Sequence, residues 1–226
     1  MVKIELARAD LFTLPHKAVR SIIYELGQIL QTTNFDDRNE TESTLPRLKH
    51  DLDMLHQHAV HENLYVFPKV QANEPKMIDM LTREHEEIEG KMDKVLKTTD
   101  ELNRIESREQ RIEKGNALYQ EANDLFAFYL AHNNIEEATV LPATQKYHTD
   151  ETLRAIRATI MKSMSPEQST DWLSWIFSSG NNNEATNLLV GLKEGAPPPI
   201  FENMARIAQN ALGEDRWKVV RARAGL

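Results

Sequence analysis

Two stretches of this chain repeat one frame: His58-Ala-Val-His61-Glu62-Asn-Leu-Tyr-Val-Phe-Pro68 and His132-Asn-Asn-Ile-Glu136-Glu137-Ala-Thr-Val-Leu-Pro142. With the prolines aligned, His58 and His132 both stand ten residues ahead, and Glu62 and Glu136 both stand six ahead. An α-helix turns once every 3.6 residues, so positions i and i+4 stack on one face about 6 Å apart. Each copy therefore points one imidazole and one carboxylate in the same direction. Two helices presenting these faces to each other would assemble two His and two Glu in one place.

The surrounding pattern supplies four helices to carry such a site. The first opens at Thr13-Leu-Pro15 and carries His16, Val19, Ile23, Leu26 and Leu30 on one stripe. The second is expected from near Ser43-Thr-Leu-Pro46, with Leu48, Leu52, Leu55, His58 and Glu62 inward and Pro68 at its kink or end. The third begins at Asn73-Glu-Pro75, read as an N-cap followed by proline. It carries Ile78, Leu81, His85, Ile88, Met92 and Val95, with Glu89 one turn beyond His85. After the charged run Glu101 to Lys114 the fourth helix, capped at Ser107, brings Leu118, Leu125, Phe128, Tyr129, His132 and Glu136 inward.

His16 and His85 lie near the starts of their helices, His58 and His132 near the ends of theirs. Short connections favour antiparallel neighbours, and in an up-down-up-down four-helix bundle these four positions share one end. The expected fold is therefore all-α, a four-helix bundle over residues 1–148 followed by a helical C-terminal extension over 149–226. The extension has no histidine. It shows a capping box at Ser165-Pro-Glu-Gln168, helically spaced Trp172, Trp175 and Ile176, breaks at Asn181–Asn183 and Gly195–Pro199, and a last helix or two to Arg223. Its expected role is to pack on the bundle or to serve association, including a homo-oligomer.

Burying an ionised carboxylate without a partner costs several kcal/mol at least. Two of them facing each other in a bundle core call for cations, and imidazole with carboxylate oxygen suits iron, manganese or zinc. Di-iron carboxylate bundles of the Glu-x-x-His kind use the opposite order, so that motif is not this one. His50, His56 and His148 fall off the inward stripes. His61, beside Glu62, is a weaker candidate.

Composition closes off other classes. The chain has no cysteine, which removes disulfides, Fe–S clusters and thiol nucleophiles. Its net charge of −8 argues against non-specific nucleic-acid binding. No apolar run approaches the ~18 residues of a membrane span. Met1 to Asp10 lacks the layout of a signal peptide. A cytoplasmic protein is expected.

On these residues the chain resembles the hemerythrin-like, or HHE cation-binding, proteins over about residues 10–148. They carry a His near the start of the first helix, His-x-x-x-Glu followed by Pro on the second and fourth, and one or two His on the third. The resemblance implies a non-haem centre of two iron ions in a four-helix bundle. It implies that His16 and His58 hold one iron, His85 and His132 the other, and that Glu62 and Glu136 bridge them, with Glu137 a substitute for Glu136.

Oxygen carriers of the family show His-x-x-x-His on the third helix, where this chain has His85-x-x-x-Glu89. Glu89 in the ligand set would add negative charge and favour ferric iron over reversible O2 carriage. The expected function is metal binding, with O2 or a related small ligand bound or iron or redox state sensed. One alternative is a di-iron enzyme acting on peroxide, NO or O2, with Tyr129 or Tyr65 as redox or proton donor. The other is a metal-free helical interaction module.

Overall fold

The computed structural model describes residues 8–226, and Met1–Ala7, most of the segment read above for a signal peptide, lies outside them. The described residues are all-α, with no strand among them. They form α1 (Thr13–Thr32), α2 (Arg38–His61), a π-helical turn (Glu62–Val66), α3 (Phe67–Val70), α4 (Pro75–Leu102), α5 (Arg108–Tyr147), α6 (Asp150–Ser163), α7 (Pro166–Ser179), α8 (Asn182–Gly195) and α9 (Pro198–Arg223). None of the described helices is long and apolar enough to cross a membrane.

The chain divides into two compact units. One holds the described residues up to Asp10 together with Ile22–Arg157; the other holds Leu11–Ser21 and Ala158–Leu226.

In the first unit, α2 begins at Arg38, earlier than the Ser43 start expected from Pro46. The reason is Asp37, whose carboxylate accepts the N–H groups of Asn39 and Glu40 and so caps the helix upstream. Pro46 is left inside the helix. Helix α4 opens on Pro75 as expected, but its N-cap is Glu74, which makes no side-chain cap bond, and not Asn73. Ser107 caps α5 by accepting the N–H of Gln110.

The charged run between the third and fourth expected helices is mostly helical, and only residues 103–107 separate α4 from α5. That short connection turns the chain back, and α4 packs along α5. The apolar stripes fill the space between elements: Leu48, Leu52 and Leu55 from α2, Leu81 and Ile88 from α4, Leu118 and Leu125 from α5 are all buried. Phe126 takes the core position expected of Phe128. Phe128 is half-buried, with the Lys91 ammonium 5.4 Å over its ring. Phe35, in the α1–α2 connection, seats its ring directly on Gly115 of α5, where a Cβ would lie 2.1 Å from the ring.

The second unit has its own core. Leu173 and Phe177 of α7, Ala185 and Leu189 of α8, and Ala208, Leu212 and Val220 of α9 form one buried cluster. The expected capping box at Ser165 and Gln168 is present, and Asn181 forms a second one with Glu184. Trp172 is buried, while Trp175 is only half-buried. Helix α9 bends at Gly213, whose φ of 69° is open to glycine at little steric cost. The Arg216 guanidinium donates to the Ser178 and Gly180 carbonyls, where α7 ends, and to Asn182 Oδ1, where α8 begins.

Candidate metal centre

The two repeated frames meet inside the first unit. Glu62, His85, His132 and Glu136 are all buried, and each offers one ligand atom within 4.8 Å of the others. Within each frame the i,i+4 pairing has the geometry that its spacing predicts. His58 Nε2 lies 3.3 Å from Glu62 Oε1, and His132 Nε2 lies 3.3 Å from Glu136 Oε1. Helix α4 supplies the link, with His85 Nε2 3.6 Å from Glu62 Oε2 and 3.8 Å from Glu136 Oε1.

The outer nitrogens of two histidines are tied down. His132 Nδ1 donates to Glu84 Oε2 at 2.7 Å, and His85 Nδ1 donates to Asn63 Oδ1 at 3.0 Å. With Nδ1 protonated in both rings, both Nε2 atoms turn lone pairs inward, and they lie 2.9 Å apart. Two lone pairs and two carboxylates at such distances need positive charge between them.

In the metal-free protein a proton fills that need. Burial opposes charging His132, but the hydrogen bonds to Glu136 and Glu84 and the charges of Glu136 and Glu62 prevail, raising its pKa to about 9. Tyr129, fully buried, has its phenol pKa pushed well above 10 by desolvation and by the charges of Glu62 and Glu136. Its O–H donates to the Leu55 carbonyl at 2.8 Å. The ring stands edge-on to His132.

The remaining expected residues are placed as follows. His16 is buried on the first turns of α1, which belong to the second unit, with its ring edge-on to Phe12 at 5.3 Å. Glu89 is exposed and stands on the wall of a surface recess, outside the gathered set. Glu137 is half-buried, and Glu136 is the member of its pair that enters the cluster. His61 is half-buried near Tyr65; burial lowers its pKa, partly offset by the charge of Glu62. His56 is half-buried on the same recess, His50 is exposed, and His148 is bonded to the Lys69 carbonyl.

Sequence reasoning missed Glu84 and Asn63, the two residues that orient the imidazoles. Glu84 sits directly before His85 on α4, off the apolar stripe, and Asn63 follows Glu62 in the first frame but has no counterpart role in the second. Asn63 reaches His85 from the π turn, in which the Phe67 N–H bonds to the Glu62 carbonyl five residues back. Such widened turns often mark functional sites.

A metal bound at about 2.1 Å by neighbouring ligands leaves their atoms roughly 3–4.2 Å apart. The observed separations of 2.9–3.8 Å among His85, His132, Glu62 and Glu136 fall close to that range, so the residues fit a cation. Fixing Nδ1 by an oxygen acceptor, with Nε2 facing the cluster, is the usual preparation of a metal-ligating histidine. The arrangement defines a helical protein with a buried His/Glu cluster compatible with cation binding. The chain belongs to the hemerythrin HHE cation-binding domain family, whose model matches residues 8–144. No curated protein and no solved structure matches the chain.

Proposed function

We propose that this protein is a non-haem di-iron member of its family, held in an up-down-up-down four-helix bundle. It binds O2 or a related small ligand, or reports iron or redox state, in the cytoplasm. One observation supports two ions over one: the carboxylate oxygens of Glu62 face different histidines, Oε1 toward His58 and Oε2 toward His85. A carboxylate so placed is arranged to bridge. His85, His132 and Glu136 would hold one iron, and His58 the other, with Glu62 shared. His16 is assigned to the His58 side by its sequence register and the family resemblance. Manganese or zinc would satisfy the same donors.

When bound, iron supplies the redox chemistry and the coordination position for a small ligand. The chain's own residues do the rest. Glu84 and Asn63 hold the imidazoles in the tautomer that presents Nε2. Glu62 and Glu136 offset the cationic charge. Tyr129, its proton retained by burial, closes the site with an uncharged phenol.

Metal analysis by mass spectrometry with an optical spectrum tests this reading. The expected result is close to two irons per chain with near-ultraviolet charge-transfer bands. Less than roughly a tenth of a metal per chain after anaerobic Fe(II) reconstitution would overturn it.

A further inference from the structure

The gathered ligands are nearly sealed, so a cation needs a way in. A recess of about 180 Å³ opens to solvent between α2 and α4 and reaches His85. Its walls carry Ala59 and Val60 from α2 and Ile88 and Met92 from α4, and Asn63 and His85 lie together on its lining. Those last two residues are hydrogen-bonded to each other, and the far nitrogen of the same His85 ring faces Glu62 and Glu136. His85 thus lines the recess and, through Nε2, also faces the cluster. The exposed Glu86 and Glu89 also line this recess, giving it an acidic rim.

We propose that the α2–α4 recess is the port through which a divalent cation enters the buried cluster, with Glu86 drawing it in and the Asn63–His85 pair as the last barrier. The inference rests on the metal-binding reading and adds the path. A small cation gains from a negative rim, because charged walls raise the local concentration of the opposite charge and the arrival rate. Exposed rim charges act on the rate and are screened by salt, whereas buried ligands set the final affinity. Turning the His85 ring would release Asn63 and expose Nε2 to the recess, handing the ion from one side of the ring to the other.

The test is stopped-flow uptake of Co(II) by metal-free protein, followed by its absorption spectrum, in wild type, Glu86→Lys and Val60→Trp. The control is Glu109→Lys, at the exposed start of α5. Glu86→Lys is expected to slow uptake about threefold to tenfold at low ionic strength, with the difference shrinking as salt is added. Final stoichiometry should match wild type, and the control should load at the wild-type rate. Val60→Trp, which fills the recess, should slow loading at every salt concentration. Unchanged rates in both recess variants would overturn the port, as would equal slowing in the control. A protein that takes up no Co(II) at all would instead sink the metal-binding reading, so the two failures are distinct.

Discussion

The two copies of the His-x-x-x-Glu frame share a spacing and even a distance, 3.3 Å from imidazole to carboxylate in each, yet their backbones differ. The first copy leaves α-helical geometry at Glu62, widens into a π turn, and ends in the four-residue α3. The second stays inside α5, which carries Pro142 without a break. Proline alone therefore does not cause the wide turn. The first copy also adjoins the recess through Ala59, Val60 and Asn63, whereas His132 and Glu136 are 1% and 0% exposed. One copy is the open side of the centre, and the other is its sealed side.

The sharpest way to break this comparison is to remove each histidine. His132 has Glu84 and His85 of α4 beside it as well as Glu136 of its own frame, and His58 pairs with Glu62 of its own frame. His132→Ala is therefore expected to remove most of the bound metal and His58→Ala about half, read by mass spectrometry on purified protein. Equal loss would mean that the copies are interchangeable.

Next in size is Glu84→Gln, which weakens the acceptor on His132 Nδ1. Loss of such an orienting partner typically lowers metal affinity 10–100-fold. Asn63→Ala should cost less, since a neutral amide holds His85. Competition with a chromophoric chelator measures both, and a reversed order would put the stronger support on the open side.

The pH dependence follows from His132. Its folded pKa of about 9 lies above the ordinary histidine value, so protonation stabilises the folded metal-free protein fully below about 6.5. That contribution should fade as pH rises from about 6.5 to about 9. Metal must displace the same proton, so affinity should climb up to about tenfold per pH unit toward 9 and gain nothing more from His132 above it. Thermal melts of the metal-free protein and binding titrations across this range check both signs.

The smallest expected effect concerns the residue after each histidine. Ala59 follows His58; Asn133 follows His132, and it is fully buried with neither amide atom hydrogen-bonded among the described residues. An unsatisfied buried amide costs about 1–3 kcal/mol. Asn133→Leu is expected to raise stability by about 1 kcal/mol in urea melts and leave metal content intact. A fall in metal content would show that the sealed side uses the amide.

How much of this was legible in the sequence follows the range of each signal. Helical periodicity carries the burial of Leu52, Leu81, Ile88 and Leu125, because it reports which side of a helix avoids water. The repeated frame carries Glu62 with His58 and Glu136 with His132, since i,i+4 geometry is local. The start of α2 was hidden because Pro46 is a louder signal than Asp37, although the cap is the stronger determinant. Glu84 and Asn63 were invisible for another reason. Each acts across helices, and no periodicity within one helix shows which neighbour a polar residue will meet. The π turn had no signature either, since the second copy has the same proline at the same spacing and stays α-helical.

Arg216 carries a consequence for where the chain can be shortened. Its single guanidinium binds carbonyls at the end of α7 and the side chain at the start of α8, although it lies well over thirty residues further along. A helix junction in the middle of the second unit is thus finished by a residue near the C-terminus. Trimming the tail before Arg216 would undo a corner far from the cut, and protease should then find the α7–α8 joint before it finds the new end.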